Sequence, residues 1–345
     1  MRIASISNNY GRLYDGVGAF ARVQNENYPE DVVCVNYTSD CTYEASKAKR
    51  FLMMKMTNTM WKCIKDFHKE KFDVVMLEYP FVEWNPLILL PIAVIKKMTR
   101  NAGSIFALSL HEYTRVSELR KKVIRAICQV VDIVFVSNED MKDSISAFSK
   151  NVAIRPIPTN LYHKDAMELD IVRLTSNYVF FGLVNHTKAF KEMLDAWDIY
   201  NRDGSKVLYI LTATPLNSIE QKHRGVEYLY KQDDRTIITL IRSCVCCIVP
   251  IKPEVDNKNT TFKTACISGC MCIGKFGKEF DSLPFVINMS DYSIKSFLSA
   301  FESVDDMAEK DREEKSRAAV AFGNQFTPQQ ASKIVYQQLR NYIGG

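Results

Sequence analysis

Nothing in this sequence is apolar for long enough to span a membrane. The longest apolar segment, residues 86–95, falls well short of the ~20 residues a spanning helix needs, and Pro91 interrupts it. The opening Met1-Arg2-Ile3-Ala4-Ser5-Ile6-Ser7 is too short in apolar run for a secretory leader and reads as a first strand. No pair of Cys-x-x-Cys motifs with zinc spacing is present, and no internal repeat or low-complexity tract. Asp-x-Asp is missing from any suitable place; Asp233-Asp234 and Asp305-Asp306 are adjacent pairs expected at the surface, so no metal is expected. The net charge of +5 lacks the clustered basic stripe of a nucleic-acid binder, which excludes that class of partner and leaves room for an anionic substrate or surface.

What is there describes a globular chain. At 345 residues with 47% hydrophobic content, two domains with real cores are expected. Ten cysteines fall in apolar runs such as Cys244, Cys246 and Cys247, or flank a glycine as Cys266, Cys270 and Cys272 do; they read as buried free thiols in a reducing cytoplasm. Short apolar runs alternate with amphipathic stretches, the pattern of parallel strands covered by helices. Strands are expected at 2–7, 31–35, 74–78, 104–110, 133–136 and 153–154, then at 178–181, 207–211, 226–230, 244–250, 271–273 and 285–287. One long helix is expected over 45–69 and others over 189–200 and 262–268. Prolines at Arg155-Pro156-Ile157-Pro158 break the pattern and mark a connector. Residues 1–158 and 159–327 are thus two doubly wound domains facing a cleft, followed by a terminal helical segment, 328–345. Two stretches, 180–188 and 249–261, each run from an apolar strand through a polar turn toward a helix, which aims backbone amides and a helix dipole at phosphate.

Several motifs in order resemble a known family. Tyr14-Asp15-Gly16-Val17-Gly18 follows the first strand, Leu110-His111-Glu112-Tyr113 a middle strand, and Val131-Asp132-Ile133-Val134-Phe135-Val136-Ser137 a helix. Ile157-Pro158-Thr159-Asn160 lies at the connector, then Phe181-Gly182 to Lys188, then Ser268-Gly269. Over nearly its whole length the chain resembles the retaining glycosyltransferases of the GT-B type, family 4-like (group 1 glycosyl transferases). The resemblance implies a GT-B fold of two Rossmann-like domains, with an acceptor-side domain first, a nucleotide-sugar domain second, and the last helix crossing back to the first. It also implies a nucleotide-sugar donor as substrate, no cofactor, a glycan or lipid-linked acceptor, and a place in cell-surface polysaccharide or glycoconjugate biosynthesis. Two positions depart from the family pattern. Leu183 stands where an Arg is usual, and Thr264, counted back from Gly269, where the second of two glutamates is usual.

Residue by residue, each role has a plainer alternative. Gly16 and Gly18 permit close approach of backbone to the donor, or simply build a strand-to-helix turn. His111, at the carboxyl end of its strand, is placed by the resemblance against the donor sugar; it is otherwise a polar loop histidine, and Glu112 beside it is the other acid to consider. The resemblance places Gly182, Asn185 and Lys188 along the donor, with Lys188 at the diphosphate; otherwise Lys188 is a solvated lysine at a helix start, where the dipole disfavours a cation unless an anion is present. Asp256, or Glu254 two positions earlier, is the acid expected near the sugar; the alternative is a polar surface loop. Asn259, Thr260 and Thr261 bind phosphate, cap the following helix, or do both, and the resemblance places Thr264 at the ribose. From Ala45 to Lys65 six basic residues and no acidic ones are interleaved with Met and aromatic side chains, which fits either an anionic membrane surface or a helix packed on the core. The expected protein is a cytoplasmic, metal-independent glycosyltransferase, peripheral at the inner face of the cell membrane. A non-catalytic nucleotide-sugar- or glycan-binding partner of the same fold remains open through Leu183 and Thr264, and an epimerase or phosphorylase on this scaffold is a third reading.

Overall fold

The structure, a computed structural model, describes residues 1–344 apart from 13–14, 42–45, 84, 115, 160 and 216–222. Tyr14, Ala45 and Asn160 therefore lie outside the described residues. The chain divides into two compact units, Met1–Ile157 with Pro328–Gly345, and Pro158–Thr327.

In the first unit the elements run β1 (Arg2–Asn8), α1 (Gly16–Glu26), β2 (Val33–Ser39), α2 (Lys47–Leu52), α3 (Lys55–Glu70), β3 (Val74–Tyr79), α4 (Leu89–Ala102), β4 (Ile105–Leu110), α5 (Glu118–Val130), β5 (Ile133–Val136), α6 (Glu139–Ser146) and β6 (Val152–Ile154). The second holds α7 (Lys164–Glu168), β7 (Leu174–Phe181), α8 (Phe190–Tyr200), β8 (Val207–Thr212), β9 (Val226–Tyr230), α9 (Asp234–Ser243), β10 (Cys244–Val249), α10 (Thr260–Ile267), β11 (Met271–Gly274), β12 (Val286–Asn288), α11 (Ile294–Asp305) and α12 (Glu309–Gly323). The closing helix α13 (Pro328–Gly344) belongs to the first unit, where Val335 and Leu339 join Ile3, Met76 and Phe135 in a buried cluster.

Each unit has a six-stranded sheet whose described strand pairs are all parallel. Every residue of β3, β4, β5 and β10 is buried, because helices cover both faces; a continuous apolar run is what such strands require. Strand order is β2-β1-β3-β4-β5-β6 in the first sheet and β12-β11-β10-β7-β8-β9 in the second. The direction of winding reverses between β1 and β3, and again between β7 and β10. In open parallel sheets of this kind, ligands bind outside the carboxyl ends of the strands at such a reversal.

The single helix expected over 45–69 is instead two, α2 and α3, separated at Met53-Met54. The N-cap residue of α3, Met54, has no capping side chain, and the Glu83 carboxylate reaches in to accept the Met56 amide. All ten cysteines are free, and nine are buried.

Candidate functional site

In the second unit the loops after β7 and β10 are tied together at the winding reversal. Ala189 donates its amide to the Pro250 carbonyl at 2.8 Å, Lys252 donates to Thr187 at 2.8 Å, and Lys188 forms an isolated antiparallel bridge with Ile251. Asn185 shapes the first loop: its side-chain oxygen accepts the Thr187 amide at 3.0 Å and the Thr187 hydroxyl at 2.6 Å, while its carbonyl accepts the Lys188 amide at 3.1 Å. Gly182 has φ +134, a conformation that side chains rarely adopt, and a Cβ there would lie 2.7 Å from Lys188 Nζ and 3.7 Å from Thr261 Oγ1. Three of the expected residues, Gly182, Lys188 and Thr261, thus meet at one point.

Lys188 is a partly buried cation with little compensating charge nearby. Its ammonium lies 5.0 Å from the centre of the Phe180 ring and has no carboxylate partner among the described residues. Burial pushes its pKa down to about 8. A cation held half out of water with no counter-charge is under-compensated until an anion arrives.

The start of α10 is beside it. Asn259 is the N-cap, its side chain accepting the Phe262 amide at 2.7 Å, and the amides of Thr260 and Thr261 have no acceptor among the described residues. Capping and availability to phosphate therefore coexist here. Asp256 and Glu254 are exposed in the loop before α10, Asp256 accepting the Lys258 amide at 3.0 Å. Thr264 is a correction. It is fully buried, donating its hydroxyl to the Thr260 carbonyl at 2.9 Å and lying 2.5 Å from the Thr159 hydroxyl, so it faces the body of the unit and not a ribose. Its neighbour Lys263, which the sequence reading passed over, is buried beside Phe326, with Nζ 4.5 Å from the ring centre; burial takes its pKa to about 7 against the opposing charge of Asp256. Leu183 is exposed at 55%, an apolar side chain in the loop after β7.

In the first unit, His111 follows β4 directly and anchors its amide to the Tyr79 carbonyl at 2.9 Å. Its Nε2 lies 2.8 Å from Glu78 Oε2, 3.1 Å from Ser109 Oγ and 3.3 Å from Arg155 Nη2. Arg155 spans both Glu78 oxygens at 3.4 Å and stacks 3.9 Å from the centre of the Phe20 ring, which meets the His111 ring edge-on at 4.9 Å. Burial alone would raise the Glu78 pKa, but Arg155 and then His111 override it and hold the carboxyl at about 2. Burial moves His111 the other way, below its ordinary value. Glu78 and Arg155 went unremarked in the sequence. The available signal was a carboxylate at the end of an otherwise apolar strand and an arginine opening a proline-rich connector.

The glycine turn at the start of α1 is closed by contacts within the protein. Asp15 is fully buried and its carboxylate takes the amides of Val17 and Gly18 at 3.0 and 3.1 Å and the side-chain amides of Asn8 and Asn9 at 2.9 and 2.8 Å. Those two backbone donors are therefore occupied by protein. A Cβ on Gly18 would sit 2.1 Å from the Asn9 carbonyl oxygen, so close packing within the turn requires glycine there, whereas Gly16 faces open space.

No protein-family model matches the chain, and no curated protein does. Solved structures do. HepE of Anabaena, in complex with UDP, matches over 99% of this chain and 100% of its own at 10% identity and a TM-score of 0.66. The UDP-forming alpha,alpha-trehalose-phosphate synthase of Burkholderia vietnamiensis matches over 100% and 99% at 10% identity and 0.61. The chain has the GT-B fold. A putative UDP-N-acetylglucosamine 2-epimerase of Listeria monocytogenes also matches, over 97% and 94% at 12% identity and 0.55. At such identities the GT-B likeness is one of architecture, and chemistry must be argued from the site.

Proposed function

We propose that the chain is a retaining glycosyltransferase that moves a sugar from a nucleotide-sugar donor to a glycan or lipid-linked acceptor in cell-surface polysaccharide or glycoconjugate biosynthesis. The observation that carries this reading is Lys188, a half-buried ammonium without a counter-charge among the described residues, set with Gly182 and Thr261 at the winding reversal of the second sheet. In this reading the donor diphosphate lies against Lys188 Nζ and the Thr260 and Thr261 amides, as the UDP carried by HepE and the UDP formed by the trehalose-phosphate synthase make plausible on the same fold. The acceptor oxygen attacks the anomeric carbon from the face that the diphosphate leaves; the carbon–phosphate oxygen bond breaks, the glycosidic bond forms, and the acceptor proton passes to the departing phosphate. Lys188 and the helix amides carry the leaving charge, which makes the reaction metal-independent. His111 touches a hydroxyl of the transferred sugar, and Asp256, or Glu254, steadies positive charge at the anomeric carbon.

The basic stretch supplies the place of action. Met56 and Met60 are fully buried, so the methionine face of α3 belongs to the core, but Leu52 is 72% exposed, with Met54 and Trp61 also exposed among Lys47, Lys49, Arg50, Lys55, Lys62 and Lys65. That surface suits the anionic inner face of the cell membrane, with the protein cytoplasmic and peripheral. No described helix is long and apolar enough to cross a membrane.

A panel of nucleotide sugars, assayed for released nucleoside diphosphate with excess chelator present, tests the reading. Release by the wild type that falls about 100-fold in Lys188→Ala supports it. Loss of release on chelation, restored by Mg²⁺ or Mn²⁺, overturns the metal-free mechanism. Binding without release by the wild type favours the non-catalytic partner, the reading to which the burial of Thr264 and the apolar Leu183 lend weight.

A further inference from the structure

We propose that Glu78 and Arg155 are positioning residues for His111: the buried Glu78 carboxylate accepts a hydrogen bond from Nε2–H, and the Nδ1 lone pair is thereby turned outward as the acceptor for a ligand hydroxyl. The argument is geometric. Of the three neighbours of Nε2, the nearest is an acceptor that carries no hydrogen, Glu78 Oε2 at 2.8 Å. Arg155 Nη2, at 3.3 Å, is a donor only, and cannot bond a nitrogen that already holds its proton. Its place is explained by Glu78, whose two oxygens it spans. Nδ1 has no protein partner among the described residues, and the side chain keeps 14% of its surface exposed.

The groups around the ring come from four elements, and they oppose one another. Glu78 of β3 and Asp15 at the start of α1 favour the imidazolium; burial and Arg155, just past β6, disfavour it and prevail, while Ser109 of β4 and Phe20 of α1 are uncharged. A neutral imidazole with a fixed tautomer is the outcome, and a neutral Nδ1 can accept where an imidazolium can only donate. Glu78 is fully enclosed and Arg155 nearly so, which keeps both from touching ligand themselves. That the outward partner is a sugar hydroxyl rests on the glycosyltransferase reading; the tautomer does not.

Two measurements on the full chain decide it. In protein labelled with ¹⁵N-histidine, with His111→Gln to assign the resonance, His111 at pH 7 should be neutral, with a protonated Nε2 and a bare Nδ1. A protonated Nδ1, alone or in an imidazolium, overturns the proposal whether or not the chain turns over any donor. The second is a cycle between His111→Ala and the apolar pair Glu78→Leu/Arg155→Met, chosen because replacing both members of a buried ion pair leaves no orphaned charge. The pair should lower kcat about 100-fold, the scale of a misplaced contact, with affinity for bare nucleoside diphosphate unchanged. Adding it to His111→Ala should cost nothing more. Losses that multiply would show that Glu78 and Arg155 act independently of His111. A wild type with no turnover would refute the transferase reading and leave the nitrogen resonances to judge this one.

Discussion

Nucleoside diphosphate affinity should depend on pH through Lys188, and the size of the effect follows from its burial. With the free lysine at about 8, and a bound diphosphate holding it charged, binding above that pH must take up a proton. The charged fraction falls from about nine-tenths at pH 7 to about one-tenth at pH 9, so the dissociation constant should rise about tenfold across that range. The phosphate's own last ionisation, at about pH 6, is already over and contributes no slope. Calorimetry with uridine diphosphate in buffers of different ionisation heat should show uptake of about half a proton per molecule bound at pH 8. Lys188→Ala should bind weakly with no such slope, and Lys188→Arg should remove the slope while keeping a charge, since guanidinium does not titrate here. In the absence of ligand the sign reverses. The unfolded chain holds this proton up to about pH 10.4 and the folded chain releases it from about 8, so stability should rise with pH between them, less steeply in Lys188→Met. Flat wild-type affinity from pH 7 to 9 would refute the reasoning, and a slope that survives in Lys188→Ala would transfer the site to Lys263, which burial takes to about 7.

Three further outcomes are expected. Gly182→Ala should lower stability by about 1–3 kcal/mol in denaturant titration, from its positive φ, and should weaken diphosphate binding as Lys188→Ala does, because the new Cβ displaces Nζ. Vesicle sedimentation should increase with the fraction of anionic lipid and decrease with salt, and changing Lys47, Lys49, Arg50 and Lys55 to Gln should abolish this while sparing nucleotide affinity; a wild type indifferent to anionic lipid would make α2 and α3 ordinary surface helices. His111→Ala and Asp256→Asn should depress turnover with little change in affinity for bare nucleoside diphosphate; full activity in Asp256→Asn with loss in Glu254→Gln would move the acid by two positions.

The alternation of apolar runs was legible because strands such as β3, β4 and β10 are buried on both faces and can carry few polar residues. The break between α2 and α3 was not, since no glycine or proline marks it; a carboxylate 27 positions away caps the second helix. Lys188 drew attention in the sequence because a helix start disfavours a cation, a local rule that needs no neighbours in space. Glu78, Arg155 and His111 are brought together by strand order, from three separate stretches of chain, and no spacing rule anticipates that. Thr264 failed for a smaller reason. Counting back from Gly269 reached the right helix, but a count does not say which side of α10 faces inward.

The account rests on a diphosphate lying between Lys188 and the start of α10. Crystals soaked with a panel of nucleotide sugars would show it directly. Phosphate oxygens within about 3 Å of Lys188 Nζ and of the Thr260 or Thr261 amide, a hydrogen-bond distance, are the predicted result. A nucleotide bound with its phosphates away from Lys188, or Lys188 paired with a protein carboxylate in the complex, would contradict it.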